Sequence, residues 1–170
     1  FNGRAGEWRG GLALRGKKAA AARVLEPTRR QAAEPDLWLC FAPVKRARID
    51  LIAEKAAELG VSVLQPVLTQ HTAVERVNVE RLRANAREAA EQTERLSVPE
   101  VRSPVDMMTL LAEWPGGRRL LMCDETGGGP PIAEVLKALG VKAAAPAKAA
   151  AKSAVSSSAE AESPGPSRRT

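Results

Sequence analysis

The sequence has no tyrosine, and aromatic residues make up only 3% of its 170 residues. A core built around aromatic rings is therefore excluded, and leucine, valine, isoleucine and alanine must supply the buried surface. Hydrophobic residues make up 44% and charged residues 27% of the chain, which is typical of globular proteins. A chain of this length can bury a core as one ordinary domain or as two small ones.

Cysteine and histidine are also scarce, with two cysteines and one histidine in the chain. Cys40 and Cys123 form no Cys-x-x-Cys pair and have no cluster of histidines nearby in sequence, which argues against a metal site. Each cysteine lies in an apolar run, so we expect buried, reduced thiols. His71 stands in a polar loop and is expected to be a surface side chain.

The chain has no long apolar run: none approaches the roughly 20 residues of a membrane-spanning helix. Residues 1–3 also lack the charged head and apolar stretch of a signal peptide. We therefore expect a cytoplasmic protein with no membrane partner. The first residue is not methionine, so we expect the chain to begin partway through a longer gene product.

The charge is unbalanced in the basic direction, with 26 lysines and arginines against 20 acidic residues and a net charge of +6. A polyanionic partner such as RNA is consistent with this excess. Part of it lies in the last thirty residues, however, where alanine, serine, lysine and proline dominate. We expect residues 141–170 to be a disordered tail, and a basic tail says little about a binding surface.

Two patterns of secondary structure follow one another along the chain. Residues 1–31 carry glycines between short apolar stretches, which predicts small antiparallel strands and tight turns. After the linker-like Glu34-Pro35-Asp36, buried-strand patterns alternate with amphipathic ones. The predicted strands are 37–42, 61–67 and 120–123, and the predicted helices are 46–59, 78–96, 105–113 and 130–139. This alternation predicts an α/β fold with a parallel sheet, in which ligands bind at the carboxyl ends of the strands.

Lys45, Arg46 and Arg48 follow the first strand of this sheet. Cations in the first turn of a helix oppose its dipole, so helix stability does not explain them. They are either RNA-phosphate contacts or a solvated helix start, and spacing alone leaves both readings open.

The helix 78–96 carries a polar cluster. Glu88, Gln92 and Arg95 share one of its faces, and Glu91 and Arg95 are predicted to form an i, i+4 ion pair. Such a pair is either surface decoration or part of a packed, buried arrangement. Farther along the chain, Gly127-Gly128-Gly129 precedes a helix and resembles an anion site, but a plain flexible turn is the better interpretation, because Pro130 and Pro131 lack amides.

Several strings occur together in a specific order: Phe41-Ala42-Pro43-Val44-Lys45, Glu54-Lys55-Ala56-Ala57-Glu58-Leu59-Gly60-Val61, Gln65-Pro66-Val67, Glu88-Ala89-Ala90-Glu91-Gln92-Thr93-Glu94-Arg95 and Val98-Pro99. In this order and separation they resemble the 16S ribosomal RNA uridine-N3 methyltransferases of the SPOUT superfamily. Asp124-Glu125 and the segment 127–132 also look like the family's sequence ahead of its methyl-donor site. The resemblance covers roughly residues 1–140.

The resemblance implies a PUA-like β-barrel for RNA binding, then a SPOUT trefoil-knot domain that binds S-adenosylmethionine. Members of the family act as homodimers in the cytoplasm on 16S rRNA or the 30S subunit. For this chain it implies three parts: residues 1–34 as the remnant of the barrel, 35–140 as the N-terminal part of an incomplete methyltransferase domain, and 141–170 as the tail.

The chain departs from the family in two places. The Gly-Pro-Glu-Gly-Gly loop and the Leu-Gly-x-Arg-Ile-Leu-Arg stretch, which form the knot and the donor pocket in the family, do not occur in these residues. We therefore expect a truncated or frameshifted copy that is inactive as given. The family's arginine after the second strand is also not evident around Gln70-His71-Thr72. Its absence weakens the case for an RNA contact at this loop.

The resulting hypothesis is an S-adenosylmethionine-dependent methyltransferase that modifies N3 of a uridine in 16S rRNA. Lys45, Arg46 and Arg95 are the candidates for RNA contacts and could face one groove. Glu58, Glu91 and Gln92 are expected to brace the fold, and no catalytic base, cofactor-binding residue or metal ligand is assigned. The alternative is a basic, non-catalytic RNA-binding or ribosome-associated α/β module.

Overall fold

The computed structural model describes residues 4–15, 19–32, 34–72, 74, 76–123 and 126–141, with the side chain of Arg46 outside this description. The predicted disordered tail therefore lies almost wholly outside the described residues. The chain divides into two compact units, residues 1–118 and 119–170. The strands and helices of the first unit are β1 Glu7–Leu14, β2 Ala20–Arg29, β3 Trp38–Phe41, α1 Arg46–Glu58, β4 Val63–Leu68, α2 Val79–Gln92, β5 Glu100–Val101, β6 Val105–Asp106 and α3 Met107–Ala112.

Strands β1 and β2 form a two-stranded antiparallel sheet, as the glycine spacing predicts. Its register runs from Glu7 opposite Arg29 to Leu14 opposite Ala20, with two irregularities near its start. Leu12 and Leu14 are among its exposed apolar side chains, at 75% and 78% exposure. Within the described residues, this sheet has no third strand.

The parallel sheet predicted from the alternating pattern is present, with the order β3-β4-β5 and with β6 also paired to β4. Strand β4 is the central strand, and its residues 63–67 are all buried. The two-residue strands β5 and β6 lie along its other side, at Val63–Leu64 and Val67–Leu68. Neither of these short strands was predicted, because two residues carry no periodic signal.

Two prolines explain why β5 and β6 are separate strands. The amide of Arg102 donates to the carbonyl of Leu64 at 3.0 Å, and the next two amides along this ladder would belong to Pro66 and Pro104. The side chain of Gln65 fills part of the gap. Its Nε2 donates to the carbonyl oxygens of Pro66 at 3.0 Å and Ser103 at 2.9 Å.

The core of the first unit is aliphatic, as the shortage of aromatic residues requires. Helices α1 and α2 meet through alanines, and Ala53, Ala57, Ala86 and Ala90 all have 0% exposure. Leu64 and Leu82 complete the best-buried part of this cluster, with Leu39 and Phe41 packed against it. Ile49, Ala53 and Ala56 of α1 and Leu82, Ala86, Ala89 and Ala90 of α2 are buried, whereas Leu59, which lies just past the end of α1, is 81% exposed.

Helix α2 begins as predicted but ends early. Its N-cap is Asn78, whose side chain accepts a hydrogen bond from the amide of Arg81 at 3.0 Å. The predicted end near Leu96 is wrong, because the helix stops at Gln92. Glu94 adopts the left-handed conformation with φ 54°, and the amide of Arg95 closes the helix on the carbonyl of Ala90 at 2.8 Å.

In the second unit, helix α4 spans Ile132–Ala138 inside the predicted range. The strand predicted at 120–123 is wrong: these residues form no strand, and Met122 is 81% exposed. A buried parallel strand needs a hydrogen-bonded neighbour, and the described part of this unit contains no other strand. The thiol of Cys123 is consequently exposed rather than buried, and Cys40 on β3 is only half-buried.

Candidate functional site

The carboxyl ends of the parallel strands form the edge where an α/β sheet places its ligands. Strand β3 ends at Phe41, the buried Pro43 turns the chain, and the exposed Lys45 is the N-cap residue of α1. No acidic residue lies in the first turn of this helix. The positive end of the helix dipole and the side chain of Lys45 therefore act in the same direction, and both favour an anion.

The loop after β4 borders the same edge of the sheet. The amide of Thr69 donates to the hydroxyl of Thr72 at 2.6 Å, and the two threonine hydroxyls lie 3.1 Å apart. His71 is exposed in this turn, as predicted. These hydrogen bonds hold the turn in place at this edge of the sheet, beside the start of α1.

Arg95 lies at the other end of the sheet. One of its Nη atoms donates to the carbonyl of Ala57 in the last turn of α1, and the other lies 3.0 Å from Ser97 Oγ and 3.4 Å from Glu34 Oε2. Helix α1 has 13 residues, and its ends are separated by roughly 18 Å at about 1.5 Å per residue. The structure therefore does not bring Arg95 and Lys45 together, and their use of one groove stays a prediction.

The pair predicted between Glu91 and Arg95 is wrong. It assumed helical spacing, but Arg95 lies beyond the end of α2, and its carboxylate partner is Glu34. Its side chain is only 10% exposed. The buried, packed alternative is therefore the one that the structure supports for this arginine, and an RNA contact by Arg95 has only the prediction behind it.

The three predicted bracing residues occupy different environments. Glu58 accepts hydrogen bonds from Lys55 at 2.9 and 3.0 Å at the end of α1. Glu91 lines a cleft of about 570 Å³ together with Trp8 of β1 and Arg95. Gln92 is the exposed last residue of α2. Their bracing role stays a prediction.

A carboxylate bridge fixes α1 against the first turns of α2. Asp50 accepts from Arg81 through both carboxylate oxygens, at 2.8 and 2.5 Å, and from Asn85 at 2.9 Å. The pair with Asp50 raises the pKa of the Arg81 guanidinium. This bridge lies beside a cleft of about 620 Å³ that includes Val74 and Val77. It holds the helices whose N-termini lie toward the candidate edge.

Sequence reasoning missed a stack of side chains on the first strand of the parallel sheet. The guanidinium groups of Arg102 and Arg118 each lie 4.0 Å from the ring centre of Trp38, and Trp114 meets the same ring edge-on at 5.9 Å. Arg118 also pairs with Asp36, and this hydrogen bond lowers the pKa of the Asp36 carboxyl. A sequence signal was available only for Trp114, which Arg118 follows by four residues; no arginine lies within seven residues of Trp38, so the partners of that ring could not be found from the sequence.

The thiol of Cys40 lies near this stack. Burial raises the pKa of Cys40, and the positive charges of Arg102 and Arg118 oppose that effect only in part. A thiol in this state is a poor nucleophile at neutral pH. Cys40 is therefore not a candidate for covalent catalysis.

The triple glycine behaves as the plain turn that was predicted. Gly127 has φ +76°, and a β-carbon added at Gly127 or Gly129 would meet nothing within 4 Å. The following residues Pro130 and Pro131 offer no amides. The described residues of this segment therefore do not form an enclosed pocket that would fit an adenosyl group.

Two further features are absent from the described parts of the chain. Among these residues, no helix is both long enough and apolar enough to cross a bilayer. No group of three or more histidine, cysteine, aspartate or glutamate side chains lies close enough within them to hold a metal ion.

Comparison with known protein families shows which family this chain belongs to. Residues 32–151 match the model of the RNA methyltransferase domain, and this range is well over half of the chain. The chain belongs to the RNA methyltransferase domain family. A related protein, ribosomal RNA small subunit methyltransferase E of Rickettsia conorii, is 30% identical over 111 residues, which are 65% of this chain and 46% of the relative.

Solved structures agree with this assignment. Ribosomal RNA small subunit methyltransferase E of Neisseria gonorrhoeae, bound to S-adenosyl methionine, superposes with a TM-score of 0.59 at 26% identity over 67% of this chain and 49% of that one. A probable rRNA methyltransferase of Porphyromonas gingivalis gives a TM-score of 0.58 at 24% identity over 66% of this chain and 48% of that one. The predicted fold class, an α/β fold with the parallel sheet of the SPOUT methyltransferases, is confirmed. The chain spans about half the length of these relatives.

Proposed function

We propose that this RNA methyltransferase domain acts in the S-adenosylmethionine-dependent methylation of N3 of a uridine in 16S rRNA. The observation that carries the proposal is the family match over residues 32–151. Two relatives support the substrate and the donor, because both are named ribosomal RNA small subunit methyltransferase E and the one from Neisseria gonorrhoeae was solved with S-adenosyl methionine.

The reaction defines what the protein must supply. N3 of uridine is an amide-like nitrogen whose pKa lies near that of a phenol, about 10, so methyl transfer requires that its proton be lost or stabilised. The donor supplies the methyl group, and the protein must hold the uridine in line with it. We propose that the described residues position the RNA, and we assign no catalytic base among them.

Lys45 and Arg46 are the proposed RNA contacts at the carboxyl edge of the sheet. Lys45 is exposed at the N-cap of α1, where the helix dipole adds to its charge, and Arg46 begins the helix. Phosphate groups of the RNA backbone are the ligands that suit this arrangement. Arg95 was also predicted to contact RNA, but its guanidinium already pairs with Glu34 and donates a hydrogen bond to the carbonyl of Ala57.

The proposed organisation follows the family. Residues 1–34 correspond to part of a PUA-like barrel, and β1 and β2 are its strands. Residues 35–140 correspond to the N-terminal part of the methyltransferase domain. Homodimer formation and a cytoplasmic location are proposed on the same resemblance. The polypeptide 1–170, taken by itself, is proposed to be inactive, because the family's Gly-Pro-Glu-Gly-Gly sequence does not occur in it.

The test has two parts. The gene's DNA is read in all frames beyond codon 140 for Gly-Pro-Glu-Gly-Gly, and the longest product is incubated with unmodified 30S particles and labelled S-adenosylmethionine. Nucleoside mass spectrometry should then show N3-methyluridine in 16S rRNA. Methylation at another base or another position of uridine would overturn the proposed reaction.

The polypeptide 1–170 is the matched comparison. Isothermal calorimetry should give no saturable binding of S-adenosylmethionine to it at micromolar concentrations. Micromolar binding would show that residues outside the family's loop form a donor site, and the proposed inactivity would then be wrong.

A non-catalytic RNA-binding module is the second candidate function. The basic balance of the chain, with 26 lysines and arginines against 20 acidic residues, favours it independently of the donor site. The same methylation assay separates the two functions. Tight binding to 30S particles without methyl transfer by the longest product would favour the module.

A further inference from the structure

Three arginines from two separate parts of the chain line one open cleft on the side of α2 that faces β5. The cleft has a volume of about 410 Å³ and includes Arg83, Arg87, Arg102, Glu100 and Ser103. Arg83 and Arg87 are one helical turn apart, so their β-carbons are about 5–6 Å from each other. With three guanidinium groups and one carboxylate, the lining carries an excess of positive charge.

Two of the three guanidinium groups are held in place by interactions that leave part of each group accessible. Arg83 donates through Nη2 to the carbonyl of Val101 at 3.1 Å and pairs with Glu80 through Nη1 at 2.5 Å. Its side chain is still 49% exposed. Arg102 stacks on Trp38 at 4.0 Å, and its Nε and Nη2 donate to the two carboxylate oxygens of Glu100 at 3.1 and 3.3 Å.

Arg87 differs from its two neighbours. Its side chain is exposed, and across the described ranges of the chain it makes no ion pair or side-chain hydrogen bond. Arg83 and Arg102 each have a carboxylate partner, Glu80 and Glu100, so the cleft keeps one uncompensated positive charge, that of Arg87. An anionic ligand in the cleft would pair with this charge.

The cleft is distinct from the RNA contacts proposed at the start of α1. Arg81 and Asn85 on the opposite side of α2 contact Asp50 of α1, whereas Arg83 contacts β5. Lys45 lies at the N-cap of α1. A strand of RNA that reaches both places would be bound along two sides of the helix pair.

We propose that Arg83, Arg87 and Arg102 bind consecutive phosphates of an RNA strand in this cleft. The proposal rests on the proposed function, because it takes RNA as the partner. Arg87 has its guanidinium available for bidentate hydrogen bonds with phosphate oxygens. Arg83 and Arg102 are already held by Glu80, Val101 and Glu100, so they would add single hydrogen bonds and would lose little freedom when they bind. Ser103 also lines the cleft. The arginines would bind the RNA backbone, so they fix the position of the RNA without reading its sequence.

The experiment measures binding of the full chain 1–170 to a fluorescent, single-stranded fragment of 16S rRNA over a series of salt concentrations. The variants are Arg87→Ala, Arg87→Glu and the triple variant Arg83→Ala/Arg87→Ala/Arg102→Ala. The matched control is Lys137→Ala, which removes one positive charge from the exposed last turn of α4. Circular dichroism and the melting temperature are followed for every variant.

The expected result is a lower affinity for Arg87→Ala, a larger reduction for Arg87→Glu, and no change for Lys137→Ala. The slope of log K against log salt concentration should flatten by about 0.7 for each phosphate that is no longer bound, and so by about 2 for the triple variant. If the triple variant unfolds, the two Arg87 variants decide, because the side chain of Arg87 makes no ion pair or hydrogen bond within the described residues whose removal would destabilise the fold.

Three outcomes would overturn the inference, and they differ. If the wild-type chain binds RNA and both Arg87 variants bind with the same affinity and salt slope, the cleft is not the RNA site, while the proposed function stands. If Lys137→Ala weakens binding as much as Arg87→Ala does, net charge rather than this cleft controls affinity. Failure of the wild-type chain to bind any RNA would contradict the RNA role proposed for residues 1–170 along with the cleft.

Discussion

The guanidinium of Arg95 donates a hydrogen bond to the carbonyl oxygen of Ala57, 38 residues earlier in the chain. This bond joins the segment after α2 to the last turn of α1, where a helix leaves its carbonyl oxygens without intrahelical partners. Ser97 and Glu34 complete the surroundings of the same guanidinium. One side chain thus connects both helices with the segment that precedes the parallel sheet.

Replacing Arg95 with alanine should destabilise the protein by about 2 kcal/mol, because the Glu34 carboxylate would keep only the hydroxyl of Ser97, and the Ala57 carbonyl only the 3.3 Å hydrogen bond from the amide of Gly60. Arg95→Lys keeps the charge but not the forked geometry, and should be destabilised less. Urea unfolding followed by circular dichroism measures both. An alanine variant within about 0.5 kcal/mol of wild type would mean that these interactions add nothing to stability.

Replacing Glu94 with glycine should stabilise the protein by about 1 kcal/mol, which is the cost of the left-handed conformation for a residue with a β-carbon. Helices α1 and α4 end in the same pattern, and there the equivalent residues are Gly60 and Gly140, with φ 91° and 68°. Thermal unfolding gives the measurement. Glu94→Ala is the control and should show no gain, since alanine keeps the β-carbon; equal gains in both variants would point to the removed charge instead.

Replacing Gln65 with glutamate should make stability depend on pH. A carboxylate at this buried position would face the carbonyl oxygens of Pro66 and Ser103, so its pKa should rise above the ordinary value for glutamate. The folded state then binds a proton that the unfolded state releases, and the variant should lose stability as pH rises from about 4 to 8. Denaturant unfolding at several pH values tests this. Gln65→Leu should be destabilised without this pH dependence.

The carboxyl of Glu7 should titrate with a pKa below its ordinary value of 4.5, because the hydroxyl of Thr28 and the guanidinium of Arg29 both donate to it. The group is ionised more readily in the folded state, so its contribution is present above pH 4.5 and is lost as pH falls through the lowered pKa. Carbon-detected NMR titration measures this pKa. Thr28→Val removes the largest cause and should raise it, and an unchanged pKa in that variant would assign the shift to Arg29 alone.

The parts of the fold that could be predicted from sequence are those with a long periodic signal. Helices α1 and α2 carry apolar residues at helical spacing, and β4 is an apolar run between turn residues. The end of α2 could not be predicted, because Glu94 gives no hint of a left-handed conformation that is usually taken by glycine. The segment 120–123 has the composition of a strand, but composition does not supply the neighbour that a strand must pair with.

The candidate site also has residues that the sequence could suggest and residues that it could not. Lys45 could be assigned to the candidate site because it comes soon after the first parallel strand, and the carboxyl end of a parallel strand is a known position for ligands. The cleft with Arg83 and Arg102 could not, because its halves come from α2 and from the residue after β5, which meet only in the folded chain. Arg95 was placed with Lys45 because both are cations in one domain, a criterion that ignores which end of a helix each one contacts.

The alanine interface between α1 and α2 tolerates few substitutions. Ala53, Ala57, Ala86 and Ala90 have no exposed surface, so even the two methyl groups of a valine would have to displace a neighbouring helix. Single-base changes in an alanine codon mostly yield larger or charged residues, and only glycine and serine are close in size. Among natural variants of the gene, the codons of these four alanines should therefore be among the least variable in the α/β region, whether or not RNA touches this part of the molecule.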